Sequence, residues 1–224
     1  MLNEQIFSLI LRQSNNPKTR FVMFAKETYV QRRAQLKKNV GSGILLFLGN
    51  EEQGLNYEDN AFRFRQDSTY LYYFGISAPS LAAIIDIDND REIVFGDELS
   101  IDYIVWMGVQ PTLRDKSAAV GITDVRPLAK LTDWLGLPPA HQVGSVPFIR
   151  GVVAQRNYKT DEEIAEIERA CNVTADMHIA AIKAVRPGKY EYEVAAEIER
   201  VAQENGCQLS FPTIATINGQ TLHN

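Results

Sequence analysis

Three imidazoles, His141, His178 and His223, are the side chains of this 224-residue chain best suited to move a proton near neutral pH. None has a second ligand at a metal-binding spacing such as His-Glu-x-x-His. The chain also lacks a Walker loop, a G-x-G-x-x-G turn and a G-x-S-x-G elbow. His178 falls in a series with Ile164, Ile167, Cys171, Thr174, Ile182 and Val185 at helical spacing, which predicts a histidine held in a core. His141 stands alone after Pro138-Pro139. Glu191, Glu193 and Glu197 crowd the start of a predicted helix, where the macrodipole favours negative charge; a solvated first turn is expected before an acid/base pair. Asp86-Ile87-Asp88-Asn89-Asp90 opens like a calcium loop. Arg91 replaces the turn glycine, however, and Asp97 the bidentate glutamate, so a hairpin turn is predicted. Cys171 and Cys207 read as free thiols in a reducing compartment.

The elements that must position these residues follow from periodicity. A helix is predicted over about 26–39, ending at Gly41, with Arg32, Arg33, Lys37 and Lys38 forming a solvated basic face. Ile44 to Gly49 reads as a buried strand, and Tyr70 to Phe74 as a β-prone aromatic run. Leu81–Ile87 and Arg91–Phe95 flank the Asp-Asn-Asp turn as a hairpin. Helical patterns near 101–106 and 128–135, with strand-like pieces near Val120 and Val143, complete an α/β domain with a mixed central sheet flanked by helices.

Proline and glycine then thin the pattern, placing a boundary near 144–158. Beyond it, Thr160-Asp161-Glu162-Glu163 is a capping box that opens a long helix. Pro187-Gly188 stops that helix. A second helix, 191–205, ends at Gly206, and 208–217 reads as a strand bent at Pro212.

Composition narrows the partners. A net charge of −5 and a pI near 5.3 supply no basic field for nucleic acid. Glu4 and a short, interrupted apolar run argue against a signal peptide, and no stretch has the length of a membrane span. A cytoplasmic protein without nucleic-acid or membrane partners is expected.

Several stretches, taken in order, resemble the Xaa-Pro aminopeptidases, the aminopeptidase P group of the creatinase/pita-bread metallopeptidases. FRFRQDSTYLYYFGISAP at 62–79 is similar to the family's N-terminal-domain signature, and Val105-Trp106-Met107-Gly108 to its W-x-G element. RNYKTDEEIAEIERAC, from Arg156, resembles the entry to its catalytic domain, and Arg186-Pro187-Gly188-Lys189-Tyr190-Glu191 its R-P-G-x-x-E turn. FPTIATINGQTLHN at 211–224 resembles the approach to its active-site Leu-His dipeptide.

The resemblance implies a creatinase-type N-terminal domain over 1–150 and an incomplete pita-bread catalytic domain over 156–224. It implies a parent enzyme that removes the residue before proline from peptides, works as a homo-oligomer and uses two divalent metal ions, manganese by the family's habit. His223 would then be a substrate-pocket histidine, and Trp106 a contact with a neighbouring subunit's substrate; core packing of Trp106 between apolar neighbours remains an alternative. The segment from Pro212 to His223 is shorter than the family's glycine-rich version. The two Asp, one His and two Glu metal ligands have no counterpart before Asn224, so the chain alone is expected to be inactive and to carry no metal. Without the sheet that covers them in the whole domain, the apolar residues of the two last helices are expected to lack burial. A prolidase of the same family and a metal-free, creatinase-like peptide- or protein-binding module are the alternative readings.

Overall fold

The computed structural model describes residues 23–57, 60–101, 104–105, 108–135 and 146–219. The chain divides into two compact units, residues 1–157 and 158–224.

The first unit is built on a four-stranded mixed sheet in the order β1 (Ile44–Leu48), β2 (Ala82–Asp86), β3 (Arg91–Phe95), β4 (Asp124–Arg126). The β1–β2 and β2–β3 pairs are antiparallel, and β3–β4 is parallel. Alternation along the strands separates two cores. Leu45, Phe47, Ala83, Ile85 and Val94 share one core with residues of α1 (Lys26–Val40) and α2 (Ser68–Phe74). Ala82, Ile84, Ile93 and Phe95 face the other way, against Leu128 and Leu131 at α4 (Lys130–Leu135). This is the expected α/β architecture with helices flanking a mixed sheet.

Helix α1 ends as predicted at Gly41, which takes a positive φ of 93° and donates its N–H to the Lys37 carbonyl. Its inward stripe, Tyr29, Arg32, Arg33 and Leu36, corrects the solvated basic face. Arg33 is fully buried; its Nε donates to Glu92 at 2.7 Å, and its two terminal nitrogens donate to the carbonyls of Tyr73 and Val120. Arg32 Nη1 donates to the Tyr72 carbonyl at 3.0 Å. Both tyrosine carbonyls belong to the last turn of α2, which has no intrahelical donors of its own. The arginines therefore complete that helix end from a neighbouring element, using long apolar stems that a packed interior accepts.

Tyr70 to Phe74, expected to be a β-prone run, are helical instead and belong to α2. Asp67 caps its start, accepting from the amides of Thr69 and Tyr70 at 2.8 Å each, and Gly75 closes it in a left-handed conformation with φ 64°. Tyr70, Tyr73 and Phe74 repeat at helical rather than alternating spacing and are all buried.

Two further helices were hidden by short or proline-bearing segments. α3 (Leu113–Ala118) is set by a Thr112/Asp115 capping box, and Glu98 accepts from the Leu113 and Arg114 amides. Val120 lies in the turn after α3; the strand starts later, at Asp124. α5 (Val146–Arg156) carries Pro147 in its first turn, where a missing N–H costs nothing. Its Gly151 lies against Leu36 and Val40 of α1, where a Cβ would be tight. Val143 lies outside the described residues.

The second unit is a pair of packed helices, α6 (Asp161–Ala184) and α7 (Glu191–Glu204). Thr160 and Glu163 form the predicted capping box, and Gly206 takes a positive φ after α7. Their buried residues are Val173, Val201 and Ala202. Residues 208–217 form no strand: Pro212 lacks an N–H, and no described strand lies alongside to pair with them. The segment is tied to α7 instead, the Ile217 N–H donating to Glu191 at 2.6 Å.

Candidate functional site

The sequence-predicted site residues divide sharply. His223, Trp106 and His141 lie outside the described residues. Next to Trp106, Val105 is exposed and Ile104 half-buried. His178 is exposed on α6, which corrects its assignment to a core. The apolar series it belongs to is the uncovered side of α6: Ile164, Ile167, Ile182 and Val185 are all exposed, and Val173, about 100° round the helix from Thr174, makes the buried contact.

The stretch resembling the family signature, 62–79, serves architecture first. Gln66 is buried, and its side-chain oxygen accepts from the amides of Asn50 (2.7 Å) and Asp67 (2.9 Å). Its nitrogen donates to the Ala78 carbonyl at 2.6 Å. One side chain thus joins the end of β1, the cap of α2 and the loop that enters β2. Gly49 makes room for it, since a Cβ there would press on the Gln66 amide and the Leu81 carbonyl. Nothing in the composition of the stretch announces this; a buried glutamine surrounded by loop backbone is the signal only once the loops are folded.

The acidic motif of the hairpin is likewise absorbed by the fold. Asp86 accepts from the Asn89 side chain at 2.8 Å, Asp88 from the Gly43 amide, and Asp90 from Lys37 Nζ at 2.8 Å. Each carboxylate turned toward the turn has a donor, which is the hairpin the sequence predicted. Burial pulls the Lys37 pKa down, but hydrogen bonds to Asp90 and Glu92 outweigh it and leave the ammonium above its ordinary value.

In the second unit an open groove of about 470 Å³ runs along α6 and α7, lined among others by Asp176, Lys183, Arg186, Lys189, Glu193 and Arg200. Glu193 accepts from Lys189 at 2.6 Å and from the Tyr190 amide, and the lysine bond holds its carboxyl below the usual range. Glu197 pairs with Arg200 at 2.9 Å, and Glu191 holds the Ile217 amide. The three glutamates are thus occupied by helix ends and neighbouring cations, and none is poised as a general acid or base. The groove can hold ions by charge; it has no nucleophile paired with a base.

Among the described residues no group of three or more His, Cys, Asp or Glu side chains could hold a metal ion. The described residues therefore do not fit a metal centre. Neither cysteine is in a disulfide. Among the described residues no helix is long and apolar enough to cross a membrane.

Comparison with known proteins bears on both units. A family model for the aminopeptidase P N-terminal domain matches residues 29–139, and one for metallopeptidase family M24 matches residues 165–224. A probable Xaa-Pro aminopeptidase of Chaetomium globosum is 27% identical over 207 residues, spanning 81% of this chain and 35% of its own length. A Xaa-Pro dipeptidase of Pongo abelii is 24% identical over 203 residues, spanning 77% of this chain and 41% of its own. Among solved structures, aminopeptidase P of Escherichia coli in its low-pH form superposes with a TM-score of 0.66 at 18% identity, over 82% of this chain and 50% of that one. Proline aminopeptidase P II of Yersinia pestis gives 0.64 at 21% identity, over 82% and 51%. The chain spans about half, or less, of the length of these relatives.

Proposed function

Because the chain belongs to the aminopeptidase P family, with its N-terminal domain followed by the opening of an M24 metallopeptidase domain, we propose that it is the N-terminal portion of a metal-dependent Xaa-Pro aminopeptidase. The whole enzyme removes the N-terminal residue that precedes proline. The observation that carries this reading is the order of the two matched segments, 29–139 and then 165–224, on one chain. Proline's locked φ and missing N–H make the bond before it a poor substrate for general peptidases, which is the chemical reason for a dedicated enzyme.

In this reading two divalent ions, manganese by preference, polarise the scissile carbonyl and lower the pKa of water when bound. In the same reading their ligands lie outside the described residues, and the 224 residues alone are without hydrolytic activity. His223 belongs to the substrate pocket, and Trp106 contacts substrate across a subunit boundary of a cytoplasmic homo-oligomer. Residues 1–150 form the N-terminal domain and 156–224 the start of the catalytic one.

A second reading, prolidase, is supported by relatives named Xaa-Pro dipeptidase at 24% and 25% identity, level with those named aminopeptidase. One assay separates the two and tests both. The whole gene product and the 224-residue chain are incubated with manganese and either a Xaa-Pro dipeptide or a Xaa-Pro-Xaa tripeptide. Metal-dependent release of the first residue from the tripeptide by the whole product alone is expected. Cleavage of the dipeptide alone favours prolidase. Turnover by the 224 residues sinks the claim that they are inactive, and no cleavage by either protein sinks the peptidase reading.

A further inference from the structure

The sequence holds two asparagine–glycine pairs, Asn205-Gly206 and Asn218-Gly219. A glycine after asparagine lets the following backbone nitrogen reach the side-chain amide carbon, because no Cβ stands in its way. Whether that contact turns into chemistry depends on what holds the two groups that would react.

Backbone conformation does not separate the pairs. Gly206 and Gly219 take left-handed φ values of 66° and 69°, and a Cβ at either would meet nothing within 4 Å. Both asparagines are exposed. Hydrogen bonding is what separates them. Asn205 is the C-cap of α7, and its Nδ2 donates to the Val201 carbonyl at 2.9 Å. The Gly206 N–H donates to the Gln203 carbonyl at 3.0 Å. The side-chain amide and the backbone nitrogen of that pair are therefore both engaged by the end of the helix. Asn218 and Gly219 lie in no helix or strand. Neither the Asn218 side chain nor the Gly219 N–H has a hydrogen-bond partner among the described residues. The chain is anchored just before them, where the Ile217 N–H donates to Glu191 at 2.6 Å.

We propose that Asn218 is a self-modification site, at which the chain deamidates while Asn205 is spared. The Gly219 nitrogen gives up its proton to solvent base and bonds to the side-chain carbonyl carbon of Asn218. The bond from that carbon to the side-chain nitrogen breaks, and the nitrogen takes a proton from water and leaves as ammonia. One water then opens the five-membered succinimide. Opening at the side-chain carbonyl gives aspartate; opening at the main-chain carbonyl gives isoaspartate, with the backbone running through the former side chain. No electrons change hands, and water is the only co-reactant. Either product places a carboxylate one residue after Ile217, whose amide the Glu191 carboxylate holds. Like charges repel, so the reaction loosens a bond that ties residues 208–217 to α7. The contact of Thr213 with Glu199 at 3.4 Å lies farther along the segment and is spared. The inference draws on the second unit alone and is independent of the peptidase reading.

Peptide mapping by mass spectrometry, on the full chain aged at neutral and at alkaline pH, tests it beside the free peptide Ile-Asn-Gly-Gln. Asn218 converts at a rate close to that of the peptide, faster at alkaline pH because the attacking nitrogen must shed its proton. Asn205 converts at least about tenfold more slowly, the factor that one net hydrogen bond supplies. Gly219→Ala slows conversion at Asn218, since its Cβ crowds the attacking nitrogen. Asn218→Asp supplies the product charge directly and raises hydrogen exchange at the Ile217 amide about threefold, the size of one exposed charge contact. Equal conversion at the two asparagines overturns the proposal, as does an Asn218 that outlasts the peptide. Exchange at Ile217 that ignores Asn218→Asp overturns the coupling to Glu191.

Discussion

Arg33 and Glu92 meet at 2.7 Å where α1 crosses the start of β3, the arginine side chain fully buried and the glutamate 19% exposed. Burial lowers the arginine's pKa and the Glu92 charge opposes that shift, so the carboxylate offsets part of the cost of holding a permanently charged guanidinium in this core. The same guanidinium donates to the carbonyls of Tyr73 and Val120, which ties a helix, a strand, a helix end and a turn to one side chain.

Removing that side chain leaves a half-buried Glu92 carboxylate with only Lys37 as its cation, at 2.7 Å, and takes the arginine donor from two carbonyls. Arg33→Met should cost about 3–5 kcal/mol, the range for breaking a buried ion pair. Arg33→Lys should recover only part of it, because an ammonium cannot span three acceptors in one plane. Urea denaturation of the three proteins measures both differences. Stability of Arg33→Met equal to the parent would show that the interior can satisfy those groups otherwise.

Gln66 is the second joint. Gln66→Leu keeps the volume but strands the Asn50 and Asp67 amides and the Ala78 carbonyl, at a cost of about 3 kcal/mol. Gln66→Glu keeps the acceptor but at neutral pH buries a charge and sets an oxygen against the Ala78 carbonyl, so it should be the more costly change. A reversed order of the two melting temperatures would refute this division of roles.

His178 is exposed, so His178→Ala should change the stability of the 224-residue chain by no more than about 0.5 kcal/mol. A larger loss, seen in thermal unfolding, would mean that the uncovered side of α6 is buried in solution against something else.

The Glu193 carboxyl, bonded to Lys189 Nζ and to the Tyr190 amide, titrates below the ordinary glutamate range. A folded pKa below the unfolded one means that the group supports the fold at neutral pH and loses that support as pH falls through the folded value. Lys189→Met should move the Glu193 midpoint upward, toward the ordinary value, as followed by the NMR shift of its carboxyl carbon. A midpoint unmoved by the substitution would place the cause elsewhere.

Local rules determined the elements whose signals are local. Thr160 with Glu163, Gly41, Gly206, and the Asp-Asn-Asp turn between β2 and β3 all stand where the sequence placed them, because caps and turns are settled within a few residues. The order of motifs along the chain was enough to identify the family. Three things were left to tertiary structure. Arg32 and Arg33 look like a solvated pair until the carbonyls of Tyr72 and Tyr73, forty residues away, come within reach. Tyr70 to Phe74 fits either a strand or a short helix, and the choice follows from burying Tyr70, Tyr73 and Phe74 together under β1. His178 falls on an apolar stripe, yet a stripe is buried only if another surface covers it. Periodicity along one helix records which residues are alike, and the neighbours that the fold brings alongside decide which of them leave water.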